Sequence, residues 1–290
     1  MSKARLPATL VWAVIAICVL PFCLSLAGVD FSTQGRVFDA STATKQAPQT
    51  VARALHHALK GSFTHTLLEW SAFCTAIFTG LLAFIHFNIK RDTTTLVIGV
   101  ALFCAGTMDA LYTMVADYLL EEVTDSHNFM PFIWAVSRLF NALIMIVGAG
   151  LCLVTRTSTW QGRPGMILLV SVVFGGVAYG VIHASATSPH LPQTLFPNAI
   201  VTRPYDAAPL ILFLFAGAFV YPRLYQRLPS IFSHALIIST LPNVAAQLHM
   251  TFGSTALFDA PFNIAHFLKI IAYLVPFSGL ALDYIRTYGE

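Results

Sequence analysis

Apolar residues run along this chain in blocks of about 16 to 24, divided by short polar stretches, and the blocks show no strand-like alternation. At about 1.5 Å of rise per residue each is long enough, allowing for tilt, to cross a bilayer as a helix. The pattern predicts spans at about 8–29, 65–88, 95–116, 131–154, 166–183, 207–222, 230–250 and 262–285, with 207–222 the shortest. The fold class is therefore all-α, a polytopic bundle of eight transmembrane helices forming one domain over residues 1–290. No internal repeat and no soluble domain interrupts it. Residues 30–64 read as a long extracytoplasmic loop, helix-like only near its end. Pro242 and Pro276 predict kinks in the last two helices, and Gly176 and Gly180 a small-residue face for close helix contact.

The first apolar run follows Lys3 and Arg5, and a small-residue stretch ahead of Gly28 loosely fits a secretory cleavage site. Its length favours a retained span, and cleavage would leave seven. Composition agrees with a membrane class: 57% of residues are hydrophobic and 10% charged, too little polar surface for a soluble globule of this size. A net charge of +3 gives no ground for a nucleic-acid partner. The five cysteines are scattered through apolar runs and read as small core residues.

Charge position orients the bundle. With the N-terminus in the cytoplasm, the inner segments carry Lys3 and Arg5, Lys90 and Arg91, Arg156 and Arg163, Arg223 and Arg227, and Arg286. Acids gather outside, among them Asp30, Asp117, Glu121, Glu122, Asp206 and Asp259. Both termini are then cytoplasmic, as the positive-inside rule requires for eight spans. The outer exceptions are Arg203, and Arg36, Lys45, Arg53 and Lys60 in the long first loop, where the rule is weaker.

Four charged residues fall inside the predicted spans. Glu69 lies about one turn, and Asp109, Arg138 and Lys269 about two turns, below the outer helix ends, within ~5–12 Å of the outer boundary. An ionisable group at such depth costs roughly 2.5–3.5 kcal/mol on insertion scales and needs a partner. Helical spacing adds His65 to Glu69, Tyr112 to Asp109, Trp134 and Asn141 to Arg138, and Asn263, His266 and Tyr273 to Lys269. Asn243 and Gln247 share a face of the seventh span, with His249 nearby.

Two readings fit this layer. In one, Glu69 and Asp109 pair with Arg138 and Lys269 to fix helix register, the long cations partly snorkelling outward. In the other, the layer lines a pocket open to the outside that holds a small ligand, a metal or haem. An anion would suit Arg138 and Lys269. Metal candidates are His65, Glu69, Asp109, His249 and His266, and pairs among the three histidines are candidate haem ligands. A haem or metal redox sensor, or a zinc-dependent intramembrane hydrolase, is the alternative function. The chain has no HExxH or HxxxH pair, and His56, His57, His127 and His190 fall in loops, so the reading is non-catalytic. A transporter would show inverted repeats and mid-depth broken helices.

His65-Thr-Leu-Leu-Glu69, Met108-Asp-Ala-Leu-Tyr-Thr-Met, Trp134-Ala-Val-Ser-Arg-Leu-Phe-Asn and Phe262-Asn-Ile-Ala-His-Phe-Leu-Lys-Ile-Ile-Ala-Tyr resemble the third type of bacterial membrane-associated sensor (MASE) domain, over about 60–290. The resemblance implies a helical sensory input module of the bacterial inner membrane, set ahead of a histidine kinase or diguanylate cyclase and so of two-component or cyclic di-GMP signalling. Homodimerisation follows by analogy with those outputs. The family commonly has His where this chain has Tyr112, which weakens a metal site built on that position. The sequence stops at Glu290, where an output domain would begin, so the expectation is either a module cut from a longer protein or one that signals through a partner.

Overall fold

The computed structural model describes residues 4–35, 47–90, 93–117, 119–120, 123–154 and 164–288. Of the charges used above, Lys3, Arg36, Lys45, Arg91, Glu121, Glu122, Arg156 and Arg163 lie outside these residues.

Eight helical segments follow one another: α1 Ala8–Leu26, α2 Pro48–Lys90, α3 Thr93–Ala116, α4 Ser126–Val154, α5 Pro164–Thr187, α6 Pro204–Arg227, α7 Ile231–Gly253 and α8 Ala260–Tyr288. No strand occurs among the described residues, as expected where lipid leaves every backbone group to be paired within its own segment. Seven of the eight are long and apolar enough to cross a membrane. In α5 the apolar helix counted among the described residues is the shorter Ser171–Thr187. The segment expected at 207–222 is longer than its apolar core, because a short 3-10 turn at Pro204–Asp206 and a polar end at Arg227 extend it.

Part of the expected first loop is helix. α2 is 43 residues long, about 65 Å at 1.5 Å per residue, roughly twice the hydrocarbon thickness. Residues 48–64, His56 and His57 among them, form its amino-terminal extension instead of a loop.

Polar side chains cap the starts of the last two helices. Ser230 and Ser233 form a reciprocal capping box at α7, each hydroxyl accepting from the other residue's backbone N–H at 2.9–3.0 Å. At α8, Asp259 Oδ1 accepts from Phe262 N at 2.9 Å, while Oδ2 accepts from Thr255 N and Ala256 N. Both α6 and α7 contain a π turn, at Ala216–Val220 and His249–Gly253.

Helices α8, α2, α3, α4, α6 and α7 pack in that cyclic order. α5 rests outside on α3 and α4, and α1 on α7 and α8, burying little more than Val14 and Pro21. Close crossings use small residues: a Cβ on Gly99 would overlap Ala83, one on Gly106 would overlap Ala76, and one on Gly279 would overlap Ala235. The face expected to do this does not. Gly176 and Gly180 have open space where a side chain would begin, because they turn away from α3 and α4.

Candidate functional site

The four intramembrane charges meet in the middle of the helix ring. Lys269 on α8 bonds Glu69 Oε2 on α2 and lies 3.4 Å from Asp109 Oδ2 on α3. Asp109 is held from two more sides, by Ser137 Oγ on α4 at 2.5 Å and by the Tyr273 hydroxyl on α8 at 3.0 Å. Asn141 Nδ2 donates to that same hydroxyl at 2.9 Å. One cation thus ties three helices, and a chain of polar groups carries the link to the fourth. Trp134 lies beneath the ammonium, its ring centre 4.9 Å from Nζ.

Arg138 departs from the expected pairing. Its guanidinium reaches no acid within ion-pair distance; Nη2 donates to Asn243 Oδ1 at 2.5 Å and Nε to Gln247 Oε1 at 3.4 Å, both on α7. Phe213 packs against it at 4.8 Å. Gln247 turns its amide towards Asp206, which in turn pairs with Arg203 at 3.6 Å. These two were expected as outer-loop charges, yet each is only 1% exposed. Burial pulls the Arg203 guanidinium below its ordinary pKa, against the opposing fields of Asp206 and Asp259.

A third group lies beside Glu69. His266 is sandwiched between the Phe262 ring, 4.0 Å away, and Trp134, 4.1 Å away. Its Nδ1 lies 2.7 Å from the Phe262 carbonyl, so that nitrogen carries the proton and donates. Its Nε2 points at Glu69 Oε1, 3.3 Å off, and His65 Nε2 lies 3.9 Å from the same oxygen. Neither imidazole Nε2 nor Glu69 Oε1 has a hydrogen-bond partner, although all three side chains are fully buried.

The site is sealed on its expected outer side. Phe258 sits over His65, 6.2 Å between ring centres, and lies where a side chain on Gly61 would begin. The backbone there adopts φ +61°, a left-handed conformation that Phe rarely takes. The Phe258 carbonyl accepts from Thr33 N at 2.9 Å and Asn263 Nδ2 at 3.3 Å, and Asn263 also donates to the Phe31 carbonyl.

Several sequence expectations change as a result. Lys269 and Arg138 do not snorkel, since neither has any exposed surface. At its centre the layer is closed, since His65, Glu69, Arg138, His266 and Lys269 have no exposed surface, while Asn141, Asn243 and Tyr273 line a small cavity beside it. An anion bridging Arg138 and Lys269 would have to displace the two acids from the lysine. His65, Glu69 and His266 form a group with metal-ligand spacing, but Asp109 is occupied by Ser137, Tyr273 and Lys269, and His249 lies half-buried at the π turn of α7, outside that group. The His65 and His266 ring centres are 4.9 Å apart with Phe262 and Trp134 packed against them, which leaves no slot for a porphyrin. Tyr112 is buried by the cluster, its ring 5.7 Å from Lys269 Nζ. Ser137 joins the site without a charge or ring to single it out in the sequence; its place three residues after Trp134 and four before Asn141 puts it on the same face.

Multi-span helices closed round a desolvated network of charges define a membrane-embedded module with its chemistry inside. The chain belongs to the MASE3 family of membrane-associated sensor domains, whose family profile matches residues 60–287. No curated protein and no solved structure matches the chain. It is a multi-pass protein of the inner membrane and a membrane sensory module.

Proposed function

We propose that the buried network is the sensing element, that it lies towards the extracytoplasmic side, and that it passes its state through α8 to a cytoplasmic output domain or partner of the histidine kinase or diguanylate cyclase type. The observation that carries this is the position of Lys269. It lies on the last helix, yet its two partners belong to α2 and α3, so any change in the charge or occupancy of Glu69 or Asp109 alters what holds α8 in place. A stimulus must favour one arrangement of α8 over another to be transmitted. A network whose bonds are not all satisfied provides for that, because the occupant that satisfies them stabilises one arrangement selectively. The module is read as non-catalytic because its family is one of sensor domains.

Joining Arg286 in helical register to a cyclase reporter tests the proposal. Inserting one residue at the junction should first change reporter output, which establishes coupling. Tyr273→Phe, which removes a single hydroxyl from Asp109, should then shift the output while the amount of protein in the membrane stays constant. Unchanged output from a coupled reporter in Tyr273→Phe and in Asn243→Ala would leave the network a structural brace.

A further inference from the structure

We propose that His65, Glu69 and His266 bind a divalent transition-metal ion, with zinc as the reference ion. As the identity of the sensed ligand this rests on the reading above; as a binding site it stands on its own geometry.

With Nδ1–H of His266 committed to the Phe262 carbonyl, Nε2 of the neutral ring is a bare lone pair, and it faces a carboxylate oxygen at 3.3 Å. Two acceptors at that distance repel unless something positive lies between them. His65 brings another unpartnered nitrogen to the same oxygen. Three buried ligand atoms converge on one point, all within 4.8 Å of one another: Nε2 of His266, Oε1 of Glu69 and a nitrogen of His65, whose tautomer no hydrogen-bond partner fixes. Orphaned buried polar atoms are rare and costly, and here three point the same way.

Distance fits next. Ligand atoms about 2.0–2.2 Å from a tetrahedral zinc ion lie about 3.3–3.6 Å from each other. The Glu69–His266 separation is 3.3 Å and the His65–Glu69 separation 3.9 Å, so a closure of about 1 Å, mostly by His65, completes the set. His65 and Glu69 are four residues apart on α2, which places them on one face as an HxxxH pair would be. Two imidazoles and one carboxylate with a position left open is a donor set that suits zinc or ferrous iron.

The surroundings fit as well. The Nδ1–H bond of His266 to a backbone carbonyl fixes tautomer and ring orientation, the outer-sphere contact that metal-bound histidines make. Lys269 occupies Glu69 Oε2 and leaves Oε1 free.

The test uses the full chain purified in detergent, stripped with a chelator and reloaded with Zn²⁺ or Co²⁺ alone. One ion per chain is expected, with the visible absorption of tetrahedral Co²⁺. His65→Ala and His266→Ala should each weaken binding by at least about tenfold, the lower bound known for losing even an outer-sphere contact. His249→Ala should leave it unchanged. Because alanine variants of a buried site can fail to fold, His65→Cys supplies a positive signal: a thiolate-to-cobalt charge-transfer band appears only if position 65 is a ligand. Absence of that band in folded protein, or ion retention indifferent to His65 and His266, overturns the site. A bound ion that leaves the reporter unmoved would keep the site and remove its sensory role. A reporter that answers to Tyr273→Phe in protein that binds no ion would overturn the metal and keep the sensor.

Discussion

Lys269 holds two carboxylates at once, all three side chains being buried, so its loss leaves two buried charges short of a cation. Lys269→Met should destabilise the protein by about 3–5 kcal/mol, the cost of breaking one side of a buried pair. Adding Glu69→Gln should recover part of this by removing the charge left most exposed to the defect. Thermal unfolding in detergent reads both, and a single variant that melts like the wild type would mean that the acids do not depend on this ammonium. Ser137→Ala should cost about 1.5–3 kcal/mol, as for other hydrogen bonds to charged groups. Helical rise alone puts Glu69, Asp109, Arg138 and Lys269 at one level, which is why the layer was legible from the chain. Which cation meets which acid depends on rotation about each helix axis and on the order of helices round the ring, and neither is written in the spacing. So Lys269 took both acids, Arg138 took the amides of Asn243 and Gln247, and Ser137, a small hydroxyl with no cost of its own at depth, gave no signal.

At the level of helices, apolar block length reports membrane thickness and not helix length. That is why the spans were readable and the amino-terminal extension of α2 was not: residues 48–64 are polar enough to look like loop and still helical. Glycine spacing misled for a related reason, since a small-residue stripe shows where two helices can approach but not whether they do. Gly106→Leu should therefore abolish accumulation, as its side chain would collide with Ala76 across the α2–α3 crossing, whereas Gly176→Leu should be tolerated by an isolated chain. Membrane levels by immunoblot separate them; a loss with Gly176→Leu would reveal that another molecule packs on α5. Phe258 belongs to this scale too. A non-glycine residue held at positive φ costs on the order of 1–3 kcal/mol, and it is held there by contacts from the segment before α2 and from α8. Phe258→Gly should relieve that strain and open the cover over His65, so that a water-soluble histidine reagent modifies His65 faster than in the wild type. Equal rates would mean that access runs by another route.

For the molecule as a whole, the number of spans decides whether the two termini share a side, and the basic residues decide which side that is. An even number puts both termini on one side, and α1 is what makes the number even. Its packing argues that it belongs to the finished protein: Leu6 and Val14 join Ile231, Ala235 and Val275 in one apolar cluster, and Leu6 N donates to His234 Nδ1 at 3.3 Å. Together with the basic residues that gather on one side, this predicts cytoplasmic termini. An N-terminal tag should be retained after membrane insertion, a fluorescent protein fused after Arg286 should fold in the cytoplasm, and alkaline phosphatase inserted in the 188–203 segment should be active outside. Loss of the tag with the other two results unchanged would mean seven spans in the same orientation. Phosphatase activity at Arg286 would invert the bundle and place the network on the cytoplasmic side, where no signal would need to cross. In the predicted orientation Lys269 and Arg286 are separated by 17 residues of one helix, about 26 Å, so a change at the acids reaches the cytoplasm only if α8 itself shifts or bends. Pro276 lies between them, and it is the one residue of that stretch that cannot donate a backbone hydrogen bond. Pro276→Ala should stiffen α8 and, if the helix transmits by bending there, uncouple the reporter from Tyr273→Phe while leaving the network assembled; coupling that survives would favour a rigid shift of the whole helix.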